Sequence, residues 1–144
     1  MISDVFCKIL KGELKADIVY KDDDFWVIKD INPQAPVHLL IIPIRHFTSL
    51  EDFLEGDNNG LLGKGLVAAH KVAHQVDIAK KGYRLIINEG EHGGKMVPHL
   101  HIHLLGGKRL GPMVVSGPGG AAGQDQRRPR EGDDPPAALE ILCV

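Results

Sequence analysis

The chain has 144 residues, enough for one domain of ordinary size and too few for two. Hydrophobic residues make up 43% and charged residues 25%, a globular balance that excludes a wholly disordered, collagen-like or coiled-coil chain. Lys and Arg total 17 against 19 Asp and Glu, so the net charge is −2 and no basic excess exists to draw nucleic acid.

The longest apolar runs, such as residues 39–42, fall far short of the roughly 20 residues that span a bilayer. Met1-Ile2-Ser3-Asp4 lacks the basic and apolar regions of a signal peptide. Cys7 and Cys143 sit at opposite ends, so a reduced cytoplasmic protein without a disulfide is expected, with no membrane and no nucleic-acid partner.

In chain order, Ser3 ahead of Val5, Phe6, Ile9 and Leu10 predicts a short capped helix. Ile18-Val19-Tyr20 and Phe25-Trp26-Val27-Ile28 are β-rich runs separated by Asp22-Asp23-Asp24, a hairpin pattern. Asp30-Ile31-Asn32-Pro33-Gln34-Ala35-Pro36 reads as a loop, because two prolines and an Asn break regular structure. Residues 38–42 form a buried strand ended by Pro43, and Ser49-Leu50-Glu51-Asp52 has the form of a capping box. The spacing of Leu62, Leu66, Ala69, Ala73 and Val76 predicts one long helix over 61–80, with Gly82 as its C-cap. Residues 83–87 form a further strand, Glu89 to Gly94 a Gly-rich turn, and 97–105 the last strand. Strands and helices joined by hairpin-length links favour an α+β fold with a mainly antiparallel sheet. Composition shifts near Pro112, and the Gly-, Pro- and Arg-rich stretch 114–144, including Arg127, Arg128 and Arg130, is expected to be a flexible tail after a 1–113 domain.

The informative segment is Pro98-His99-Leu100-His101-Ile102-His103-Leu104-Leu105. Strand alternation puts His99, His101 and His103 on one face, roughly 7 Å apart, and Leu100, Ile102 and Leu104 on the core face. Three aligned imidazoles suit a solvated face, a zinc site, or covalent catalysis in which one imidazole attacks phosphorus while its neighbours hold the phosphate. His70 and His74 lie one helical turn apart but lack the Glu of HExxH, so they are expected on a solvated face.

His-φ-His-φ-His-φ-φ, with φ apolar, resembles the signature of the histidine-triad (HIT) superfamily. The segments Asp30 to His38, Ile42-Pro43, Gly82-Tyr83-Arg84, Asn88-Glu89-Gly90, His92-Gly93-Gly94, Leu105-Gly106-Gly107 and Leu110-Gly111-Pro112-Met113 are similar to its Hint branch, over about residues 3–113. The resemblance implies a HIT fold: a mainly antiparallel five-stranded sheet with two main helices, extended across a homodimer. It implies a phosphoramidase that cleaves the P–N bond of purine nucleoside 5′-phosphoramidates through a nucleotidyl-histidine. His101 would be the nucleophile, flanked by His99 and His103, with His38 completing the cluster. Asp30 would accept the ribose hydroxyls, with Ile31 beside it. The Asn88 side chain and the Gly93-Gly94 backbone would hold phosphate, and Val5, Phe6, Ile9 and Ile28 would wall the purine. No cofactor and no metal is required. Dinucleoside polyphosphate hydrolase, nucleotidylyl transferase and a nucleotide-binding scaffold with residual catalysis are the alternatives.

Three departures stand out. Lys95 and Met96 replace the usual Gln and Ser or Thr beside the phosphate, which is expected to alter rate or leaving-group preference. Pro98 replaces a common aromatic and removes a backbone donor. Many bacterial relatives carry an N-terminal Cys-x-x-Cys joined in a zinc site by a His like His46 and by the first His of the strand. Here Asp4 and Cys7 stand in that pair, so Asp4, Cys7, His46 and His99 form a weaker mixed alternative to the metal-free expectation.

Overall fold

A computed structural model describes residues 4–56, 59–95 and 97–114. Met96, Ser3, Cys143 and the expected tail after Val114 lie outside the described residues.

The first helix, α1, spans Val5–Leu10. Its cap is Asp4 rather than Ser3: Asp4 Oδ1 accepts from Cys7 N–H at 2.8 Å. The hairpin expected around the Asp triplet forms as β1 (Ile18–Lys21) and β2 (Phe25–Lys29), with Asp22 Oδ1 accepting from Asp24 N–H and Phe25 N–H to close the turn. The strand β3 covers Val37–Pro43. Helix α2, Leu50–Glu55, starts at Ser49, whose side chain accepts from Asp52 N–H.

Helix α3 runs Asn59–Gln75, five residues shorter at its C-terminal end than the periodicity predicts. Asp77 adopts a left-handed conformation at φ 62°, Ile78 N–H bonds Ala73 O, and Asp77 N–H bonds His74 O. That is the Schellman pattern, with Asp where Gly is usual, so Gly82 closes only the following turn onto Ile78 O. The buried face of α3 is Gly65, Ala68, Ala69, Val72 and Ala73, while Leu66 is exposed. The predicted stripe is displaced at Leu66 because the glycine at 65 carries the close approach: a Cβ there would sit 2.9 Å from the Phe25 ring.

Strand β4 is Tyr83–Ile86 and β5 is Ile102–Gly106. The five strands form one antiparallel sheet in the order β1-β2-β3-β5-β4. The last strand is shorter than the expected 97–105. Upstream of Ile102, Leu100 N–H turns to Phe47 O and His99 N–H closes a tight turn on Val97 O, while Pro98 has no N–H to offer a ladder.

Alternation along β3 divides the core. Leu39 and Ile41 pack with Phe25, Val27, Ile102, Leu104 and α3 on one face. Leu40 and Ile42 pack with Phe6, Ile28 and Val97 on the other, under α1. Leu100 joins Phe47 and Phe53 in a third cluster. His38 shares the α1 face with Leu40, and His103 pairs with Leu40 across the sheet, so the histidines gather on the face away from α3. Among the described residues no helix is long and apolar enough to cross a membrane.

Candidate active site

The histidine-rich segment does not present one row of three rings. His101 and His103 face each other with ring centroids 4.9 Å apart. His99 turns away, and Phe6 stands edge-on between the two groups, 4.9 Å from His101 and 5.6 Å from His99. The uniform spacing expected along a strand fails because His99 and His101 precede β5.

The first group is a chain of hydrogen bonds whose polarity is fixed by the backbone. Gln34 N–H donates to His38 Nδ1 at 3.1 Å, which places the proton of neutral His38 on Nε2. His38 Nε2–H then donates to His103 Nδ1 at 2.9 Å, and Nε2 becomes the protonated nitrogen of His103. His101 Nδ1–H donates to the His99 carbonyl at 2.7 Å, leaving Nε2 of His101 with its lone pair. Burial holds both His101 and His103 below the ordinary imidazole range. His103 is pushed to about 3 from 6.5, with the neighbouring His101 and His38 adding to the effect. Both rings are therefore neutral at pH 7: His101 presents a lone pair at Nε2 and His103 an N–H.

Asp30 lies behind this chain. Its Oδ1 accepts from Asn32 N–H at 2.8 Å, and Oδ2 sits 3.4 Å from His38 Nε2, a nitrogen already aimed at His103. Among the described residues Asp30 Oδ2 is the buried side-chain polar atom left without a hydrogen bond. Burial raises its carboxyl from 3.8 to about 6. The side chain is 0% exposed, so ribose hydroxyls meet it only if its cover moves, whereas neighbouring Ile31 is 74% exposed.

Asn88 is half-buried, two residues beyond the Ile86–His103 pair that ends the β4–β5 ladder. Gly93 and Gly94 lie in the exposed turn after it. Gly94 N–H is spent on Glu91 O and Lys95 N–H on Gly90 O, so these two donors close the turn instead of facing an anion. Gly93 is there for space: a Cβ would meet Glu89 O at 2.2 Å. Lys95 Nζ is held 3.2 Å from Glu89 Oε1, while Glu89 Oε2 accepts from Leu50 N–H at the start of α2. Glu89, to which the sequence motifs assign no role, thus ties the Gly-rich loop to α2. The long Leu50–Glu89 sequence separation leaves no local signal for it. Of the expected purine wall, Phe6 touches His101, Val5 and Ile9 are half-buried beside it, and Ile28 is buried in the core.

The second group is Asp4, Cys7, His46 and His99, whose ligand-type atoms lie within 4.8 Å of one another. These four residues have the donor chemistry of a transition-metal site. His70 and His74, expected on a solvated face, are exposed and hydrogen-bonded to each other.

One face of the five-stranded antiparallel sheet thus carries a buried chain of imidazoles. The HIT domain family model matches residues 11–110. The chain is 46% identical over 111 residues to the purine nucleoside phosphoramidase of Escherichia coli strain K12, an alignment covering 77% of this chain and 92% of that one. It is similar in structure to a HIT family hydrolase from Clostridium thermocellum, with TM-score 0.75, 49% identity and coverage of 80% and 99%. A histidine triad protein from Clostridium difficile matches with TM-score 0.74, 36% identity and coverage of 79% and 98%. The chain belongs to the HIT domain family and is a hydrolase of that family.

Proposed function

We propose that the chain hydrolyses the P–N bond of purine nucleoside 5′-phosphoramidates. The observation that carries this reading is the pair of opposed tautomers, His101 with a lone pair on Nε2 and His103 with a proton on Nε2. His101 Nε2 attacks phosphorus, and His103 Nε2–H donates to a phosphate oxygen as charge builds there. The P–N electron pair leaves with nitrogen, which takes a proton from water. A second water then attacks the nucleotidyl-histidine, releasing the nucleoside monophosphate and restoring His101. His38 keeps His103 oriented, and the His99 carbonyl keeps His101 oriented. Phe6, with Val5 and Ile9, borders the side where the purine enters, and Asn88 and Lys95 border the phosphate side. The name of the 46% identical relative supports this substrate class.

The acting unit is a homodimer. The support is that β4 is an edge strand, whose outer backbone groups can continue the sheet into a second copy. A free thiol at Cys7 accords with a reducing, cytoplasmic compartment.

The test is turnover of a fluorogenic adenosine 5′-phosphoramidate by the wild type and by His101→Ala. Turnover that disappears in the variant supports the reading. A folded wild type that binds AMP without turnover overturns it in favour of a nucleotide-binding scaffold.

A further inference from the structure

Helix α3 carries a further pair of facing imidazoles, on the side of the sheet away from the active site. His70 and His74 are one helical turn apart, and both are exposed. Their rings meet edge-on, with centroids 4.6 Å apart and planes at 89°. The two Nε2 atoms lie 3.2 Å from each other. Neutral imidazoles in that contact share one proton, so one Nε2 donates while the other offers its lone pair. His70 Nδ1 is 2.9 Å from the hydroxyl of Tyr83, the first residue of β4. With Nδ1–H donating to that hydroxyl oxygen, neutral His70 keeps its lone pair on Nε2, the atom that meets His74. His74 offers a second lone pair at Nε2 once its own proton moves to Nδ1.

We propose that His70 and His74 chelate one late first-row divalent cation of the nickel, copper or zinc type. Histidines at i and i+4 on one helix face can hold a single such ion. With ordinary metal–imidazole lengths, a tetrahedral shell has nitrogen–nitrogen edges of about 3.3 Å and a right-angled shell edges of about 2.9 Å. The 3.2 Å between the two Nε2 atoms falls between these values. The cation takes the place of the shared proton and accepts both lone pairs. Imidazole nitrogens suit these metals, whereas calcium and magnesium take oxygen ligands. Tyr83 is the outer partner that holds the tautomer of a ligating imidazole, and it ties the pair to β4. His74 lies in the last turn of α3, where the carbonyl ends of the peptide dipoles favour a cation. Lys71 stands where the HExxH pattern has its Glu, so the pair binds metal without the base that metal-assisted hydrolysis needs. The protein supplies two ligands, and the remaining positions are open to water or to a donor from another molecule. In this the pair differs from the part-buried four-donor cluster around His99, and it does not depend on the phosphoramidase reading.

The test uses the full chain without an affinity tag, stripped with a chelator and titrated with nickel, which spares the thiols that copper would oxidise. Calorimetry should show one binding event assigned to the pair, and the paramagnetic ion should broaden the NMR signals of the His70 and His74 rings. His70→Gln and His74→Gln should each abolish that event, and Tyr83→Phe should weaken it about tenfold. Both histidines are exposed and glutamine is a good helix former, so the two variants keep the fold. Nickel should also raise the Tm of the wild type, and neither histidine variant should show the same rise. Asp4→Asn marks the other place where nickel can sit, and there the broadening of His70 and His74 should persist. A wild type in which nickel leaves the two rings untouched overturns the proposal. So does an event that survives at full strength in either histidine variant, because chelation needs both rings.

Discussion

His38 Nε2 lies 2.9 Å from His103 Nδ1, and both rings are buried. The contact is diagonal across the sheet: His103 is paired with Leu40, and His38 stands two residues before Leu40 on the same face. One strand thus sets the tautomer of a ring on its neighbour. His38→Ala should leave His103 Nδ1 without its donor. The expected result is a fall in kcat of about 100-fold, at the low end of what positioned proton donors contribute, with KM little changed. Steady-state kinetics beside a thermal melt checks it. An unchanged kcat in a folded variant would remove His38 from the orienting chain.

The buried Asp30 carboxyl predicts a pH dependence of stability. Its pKa is raised from 3.8 to about 6, so the fold favours the protonated form. Its contribution is present in full below the unfolded value and is lost as pH rises through about 6. The difference corresponds to about 3 kcal/mol at neutral pH. Asp30→Asn keeps an acceptor for Asn32 N–H and cannot ionise. Its stability should exceed that of the wild type above pH 6 and approach it near pH 4. Denaturant unfolding of both proteins over that range decides the matter. A constant difference would mean that the carboxyl does not titrate in the fold.

Asp77 occupies a left-handed position at the end of α3. A side chain there costs roughly 1 kcal/mol that glycine avoids. Asp77→Gly should therefore stabilise the chain by a little under that amount, since glycine also loses more entropy on folding. Chemical denaturation at pH 7 measures the change, and a destabilised variant would show that the Asp77 carboxylate makes a compensating contact.

Burial holds the His101 pKa down against the raising effect of the His99 carbonyl bond, and Lys95, pinned by Glu89, adds to the lowering. Lys95→Gln should reduce attraction for the phosphate of the substrate. A rise in KM of roughly tenfold is expected, with a weaker dependence of KM on ionic strength. Assays at two salt concentrations and with several amine leaving groups test this. Identical kinetics across all of them would deny Lys95 a role in substrate handling.

By itself the sequence determined what local chemistry and alternation can determine. The Asp22 turn and its hairpin, the Ser49 cap and the burial of Leu100, Ile102 and Leu104 follow from residue type and spacing, while the family came from the resemblance of whole motifs in order. Where it misled, a distant partner overruled a local pattern. The Leu66 position in the apparent apolar stripe is exposed because α3 packs through Gly65 onto Phe25, forty residues earlier. The last strand starts at Ile102 because Leu100 N–H finds Phe47 O rather than a neighbouring strand. The three histidines share a spacing of two, yet only tertiary structure separated them. His101 and His103 meet His38 on one side of Phe6, and His99 meets Asp4, Cys7 and His46 on the other. Alternation fixes which face a side chain takes, but its partners come from strands and helices remote in sequence, and those are brought together only by packing of the sheet against α1 and α3.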